Sequence, residues 1–145
     1  MPALLFAYDG SDLAQLAIQQ AGEQLVSGRD ALVVCVWQPA DVGFVPVDDQ
    51  HFDAQNAAEV EAAALRTAAH GAALAERAGF AAESVAVQAA PTWKGIVETA
   101  DARGVGLIVL GSHSRSGLAG HLLGSVAAAV VKHSTASVLV VHHRH

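Results

Sequence analysis

The chain has 145 residues, 52% of them hydrophobic and 15% charged, with a formal net charge of -6. This length suits one domain with a buried core, and so much apolar residue excludes a disordered chain. An acidic chain without a basic block argues against nucleic acid as a partner, and no apolar run nears the roughly 20 residues of a membrane span.

The opening segment, MPALLFAYDG, lacks the basic stretch and cleavage site of a signal peptide. Cys35 is the single cysteine, so no internal disulfide forms, and the thiol reads as a small buried hydrophobe. Together these features point to a cytoplasmic protein outside the membrane.

Residues 3–8 form a continuous apolar run, the pattern of a strand buried on both faces. It stops at Asp9-Gly10-Ser11-Asp12, where Ser11 or Asp12 can cap a helix. Leu13, Leu16, Ala17, Ala21 and Leu25 then recur at helical spacing, and Ser27-Gly28 ends that helix. Residues 31–37 (ALVVCVW) predict a second buried strand, stopped by Pro39. Residues 39–52 carry two prolines, several aspartates and no period, and read as a long loop.

The Ala-, Glu-, Leu- and Arg-rich stretch 55–78 predicts a long helix. Its apolar face is small (Ala64, Leu65, Ala68, Ala72, Ala75), as close packing on a sheet requires. Residues 84–88 (SVAVQ) suit a short strand near a sheet edge. A helix begins at Pro91-Thr92, buries Trp93, Ile96, Val97 and Ala100, and ends at Gly104. Residues 107–110 predict a strand, 124–133 a helix, and SVLVV at 137–141 a last strand before the tail 142–145.

Strand and helix alternate throughout, and no repeat or linker interrupts them. The expected fold is α/β: one domain, residues 1–145, with a parallel sheet, helices on both faces and right-handed crossovers. Ligands of such sheets bind beyond the carboxyl ends of the strands, where the strand order reverses. Asp9 and Gly111 end the first and fourth strands and would flank that crevice. The stretch 107–126 (LIVLGSHSRSGLAGHLLGSV) is a strand, a Gly- and Ser-rich loop and a helix start. That arrangement can hold an anion on backbone N–H groups and the positive end of the helix dipole.

With these residues in view the chain resembles a universal stress protein. The likeness spans nearly the whole chain and rests on Tyr8-Asp9-Gly10-Ser11, VVCVWQP, GSHSRSGLAGHLLGSV and SVLVV. Nucleotide-binding members carry Gly, two residues, Gly, nine residues, then Gly and Ser or Thr. Gly111, Gly124 and Ser125 match that fingerprint, whereas Ser114 stands where the second Gly would be.

The resemblance implies a Rossmann-like sheet of five strands in the order 3-2-1-4-5. It also implies a homodimer, often through the last strand, here Ser137–Val141, and ATP bound with Mg²⁺ or Mn²⁺. Carried over by motif, Asp9 would meet the ribose and the backbone of Val36 the adenine. Gly111, Ser112, Ser114, Gly124, Ser125 and Val126 would hold the phosphates.

Each residue also has a simpler reading. Asp9 is equally a turn residue or a cap, and Ser125 a helix cap. A serine at 114 costs about 1 kcal/mol where glycine would take a left-handed conformation, although its hydroxyl can donate to phosphate. His113, Arg115 and His121 line the loop and can screen phosphate charge or remain solvated. Trp37, at the end of strand two, can stack on adenine or pack in the core. His142, His143 and His145 read as a frayed tail, not a metal site.

Three functions stay open: an ATP-binding dimer in stress response or signalling with an unknown partner, a slow ATP hydrolase, and a nucleotide-free dimeric interaction protein. No residue stands out as a catalytic base, so no catalytic residue is assigned. A flavin module of similar topology would make the protein yellow.

Overall fold

The computed structural model describes residues 2–39, 54–113 and 123–143. Its elements alternate strictly: β1 (Leu4–Ala7), α1 (Asp12–Gln24), β2 (Asp30–Trp37), α2 (Ala54–Arg77), β3 (Ala81–Gln88), α3 (Thr92–Ala102), β4 (Leu107–Gly111), α4 (Ser125–His133) and β5 (Ser137–Val141). The strands form one sheet in the order β3-β2-β1-β4-β5, every neighbouring pair parallel. The α/β architecture and the strand order therefore follow the sequence expectation.

The period of two along a strand assigns side chains to faces. Leu4, Phe6 and Tyr8 enter a core with Ala14, Ala17, Ile18 and Ala21 of α1 and Ala75 of α2. Leu5 points the other way, into a core with Ile96, Val97 and Ala100 of α3 and Ala127 and Val130 of α4. β2 divides likewise: Leu32 and Val34 join the α3/α4 side, while Cys35 and Trp37 pack on Val60, Ala64 and Ala68 of α2. Because β1 is central and covered on both faces, all its residues can be apolar.

α2 lies unusually close to the sheet. A methyl group at Gly71 would sit 2.7 Å from both the Tyr8 ring and Val33. The buried stripe runs through Val60, Ala64, Ala68 and Ala75. Leu65 is 48% exposed, contrary to the expected apolar face; it is one residue, or about 100°, round the helix from Ala64.

β3 starts at Ala81, earlier than expected, because its full length pairs with β2 from Asp30↔Ala81 to Trp37↔Gln88. The long loop expected at 39–52 lies, beyond Pro39, outside the described residues. No helix among the described residues is long and apolar enough to cross a membrane.

Candidate functional site

The chain leaves β1 in one direction, toward β2 and β3, and later returns to its other side with β4 and β5. The order thus reverses between β1 and β4, and a crevice of about 70 Å³ opens there beyond the strand ends. Its apolar floor includes Ala7, Val34, Val36 and Ile96; Asp9, Gly111, His113 and Val126 complete the polar end and the opposite wall.

Asp9 is held in place by local geometry. Its Oδ1 accepts from the Ser11 N–H at 3.0 Å, and the Ser11 hydroxyl accepts from Ala14 N–H at 3.2 Å, capping α1. Gly10 turns the chain between them at φ 82°, a left-handed conformation that favours glycine. Asp9 is therefore both a turn residue and a crevice residue. Ser11, not Asp12, is the cap.

The preceding residue, Tyr8, turns toward α2, and its hydroxyl lies 2.7 Å from His70 Nδ1. Burial, then the neighbouring Asp9 and Cys35, raise the Tyr8 phenol above its ordinary value of 10.0.

Gly111 and Gly124 are small for a different reason. Neither has positive φ. A Cβ at Gly111 would meet Leu13 Cγ at 2.7 Å, and one at Gly124 would meet the Ser112 carbonyl oxygen at 2.8 Å. The Ser112 N–H donates to Val141 O at 2.8 Å, and the Gly124 N–H donates to Ser112 O at 2.7 Å. Ser112, 2% exposed, is thus clamped between the end of β5 and the start of α4. Both amides are engaged inside the protein.

α4 begins at Ser125 with Gly124 as its N-cap and no side-chain cap bond, so Ser125 is the first helical residue and not the cap. The first intrahelical bond runs from Ala128 N–H to Gly124 O. The N–H groups of Ser125, Val126 and Ala127 consequently have no intrahelical partner, as in any first turn.

Of the residues singled out in the sequence, Asp9, Val36, Gly111 and Val126 share the crevice wall. Ser112 is buried next to Gly111, and Gly124 and Ser125 directly precede Val126 without entering the wall. Ser114, Arg115, His121 and His145 lie outside the described residues.

Trp37 does not face the crevice. It is 4% exposed against α2, because it follows Val36 and strand alternation sends the two to opposite faces. His142 and His143 are exposed, and no group of three or more His, Cys, Asp or Glu among the described residues could hold a metal. The wall residues missed in the sequence were Ala7, Tyr8, Ala14, Val34, Thr92, Ile96, Leu110 and Ala127. Val34 shares Val36's parity and Ile96 follows Thr92 by one helical turn, so strand and helix periods contain that signal.

Comparison with known proteins agrees with this architecture. The model of the universal stress protein family matches residues 1–142. The chain is 34% identical to universal stress protein YxiE of Bacillus subtilis (strain 168), over 95% of this chain and 97% of that protein. Among solved structures, the hypothetical protein MJ0577 superposes with a TM-score of 0.78 at 25% identity, covering 99% of this chain and 97% of the other. A universal stress protein in complex with cAMP superposes with a TM-score of 0.65 at 27% identity, covering 97% and 96%. By matched length, identity and fold, the chain belongs to the universal stress protein family.

Proposed function

We propose that this protein is a dimeric adenine-nucleotide-binding module, with ATP as its ligand, acting in stress response or signalling in the cytoplasm. The observation that carries the reading is the crevice at the β1/β4 reversal, where Asp9, Val36, Gly111 and Val126 converge. The related universal stress protein in complex with cAMP supports the nucleotide class.

The base would lie on the apolar floor of Val34 and Val36, the ribose hydroxyls at Asp9, and the phosphates toward the first turn of α4. The helix N-terminus favours negative charge there, whereas the Asp9 carboxylate would repel it. Mg²⁺ or Mn²⁺ would reach the site on the phosphate oxygens, since the described residues supply no cluster of their own.

Dimerisation would use β5, an edge strand whose Val138, Leu139 and Val140 are only half-buried within one chain. The proposal is for binding and not for turnover.

Heat denaturation of purified protein, followed by chromatography of the released small molecules, tests the reading. Adenine nucleotide in the supernatant, or MgATP binding in calorimetry to stripped protein, is the expected result. Neither heat nor thermal shift at millimolar MgATP would leave the nucleotide-free interaction protein as the better reading.

A further inference from the structure

His113 holds a position that the fingerprint does not explain. Its Nδ1 lies 3.1 Å from the hydroxyl of Ser112. Its Nε2 is buried and has no hydrogen-bond partner among the described residues, and His113 forms part of the crevice wall. A buried ring nitrogen without a partner forfeits its bond to water, and such atoms in native proteins call for a missing partner.

The Ser112 side of the ring is also held. Ser112 is anchored by Val141 O through its N–H and by the Gly124 N–H through its carbonyl. These same bonds remove the Ser112 and Gly124 amides as donors to a ligand. What remains at this end of the crevice, among the described residues, is the first turn of α4 and the imidazole.

We propose that His113 is the side chain that recognises the ligand's phosphate, its Nε2–H donating to a phosphate oxygen while Ser112 orients the ring. The inference rests on the adenine-nucleotide reading above and deepens it. When the Ser112 hydroxyl donates to Nδ1, the neutral ring carries its hydrogen on Nε2, the nitrogen without a partner among the described residues. A nucleoside without phosphate makes no use of that donor. His113 therefore separates nucleotides from nucleosides, whereas Val34, Val36 and Asp9 treat both alike.

The test compares adenosine and AMP by calorimetry on stripped parent protein, His113→Phe and His113→Gln, with thermal melts showing that each variant is folded. A hydrogen bond to a charged group corresponds to about ten- to a hundredfold in affinity. The parent is expected to prefer AMP by at least about tenfold, and His113→Phe to lose that preference while adenosine affinity stays within about threefold. Glutamine, whose amide can donate from a similar reach, is expected to restore part of it. In ¹⁵N-resolved NMR of the parent, AMP but not adenosine is expected to shift the His113 Nε2–H signal.

Equal loss of both ligands in His113→Phe would make the ring a shape element of the crevice and overturn the proposal. An unchanged AMP preference would overturn it as well. A parent that binds neither ligand defeats the nucleotide reading and this inference together, an outcome distinct from failure of His113 alone.

Discussion

Gly111 and Gly124 show how a residue can match a phosphate fingerprint for steric reasons. Each is tied to a close approach, not to a left-handed backbone. At Gly111 the obstacle is a side chain, Leu13 Cγ at 2.7 Å; at Gly124 it is backbone, the Ser112 carbonyl oxygen at 2.8 Å. Gly111→Ala is therefore expected to cost about 1–3 kcal/mol as overpacking. Leu13→Ala costs about 2–5 kcal/mol by opening a cavity. Combined, they are expected to cost less than their sum by about 0.5–3 kcal/mol in urea unfolding, because Leu13→Ala removes the clash. Strict additivity would show that Gly111 and Leu13 do not compete for space. No side-chain deletion offers such relief at Gly124.

Tyr8 gives a residue-scale prediction in pH. Its raised phenol keeps its proton in the native state over a window that begins near 10, where the unfolded chain has already lost one. Its contribution to stability is complete below that window and declines as pH rises through it. Unfolding midpoints of the parent are expected to fall more steeply above pH 10 than those of Tyr8→Phe. Parallel curves for the two proteins would refute the assignment.

At the scale of elements, the edges of the sheet differ in how they are finished. β3 mixes exposed and half-buried residues and includes the exposed Glu83, a charge that discourages strand addition. β5 is SVLVV, with no charge and three half-buried apolar residues. Leu139→Lys is expected to shift the proposed dimer to monomer in sedimentation velocity while far-ultraviolet dichroism persists. A parent that sediments as a monomer would overturn the proposed dimer, and a variant that remains dimeric would place its interface elsewhere.

Elements also differ in how openly the sequence displays them. β5 was legible to the residue because a short valine-rich run between Ala136 and the histidine tail has one reading. The first three residues of β3, Ala81, Ala82 and Glu83, carry no such signal; they are strand because β2 supplies a partner along its whole length. Leu65 was assigned inward by hydrophobicity, yet the contact stripe of α2 is built from smaller residues that allow Gly71 to approach Tyr8 and Val33.

At the scale of the whole molecule, the ends of three strands and the starts of three helices meet in one crevice, so binding there links β1, β2, β4, α1, α3 and α4. Saturating nucleotide at a hundred times its dissociation constant is expected to stabilise the fold by about 2.7 kcal/mol, read as a rise in Tm. Asp9→Asn retains an oxygen to accept from Ser11 N–H, so the ligand-free Tm is expected to stay close to the parent's while the MgATP-induced rise shrinks. A full rise in the variant would free Asp9 of the ribose role.

The sequence by itself determined the α/β alternation, the positions of the nine elements among the described residues to within a few residues, and the strand ends carrying Asp9 and Gly111. Those properties follow from local periods of hydrophobicity and from turn residues, which act over a few positions along the chain. Only the tertiary structure decided that Val36 faces the crevice while Trp37 faces α2. It also showed that the Ser112 amide is spent on Val141 O and the Gly124 amide on Ser112 O, and that His113 Nε2 is buried without a partner among the described residues. Each of these depends on contacts between residues distant in sequence, where a one-residue change of face or a bond across the sheet alters the outcome without altering any local pattern.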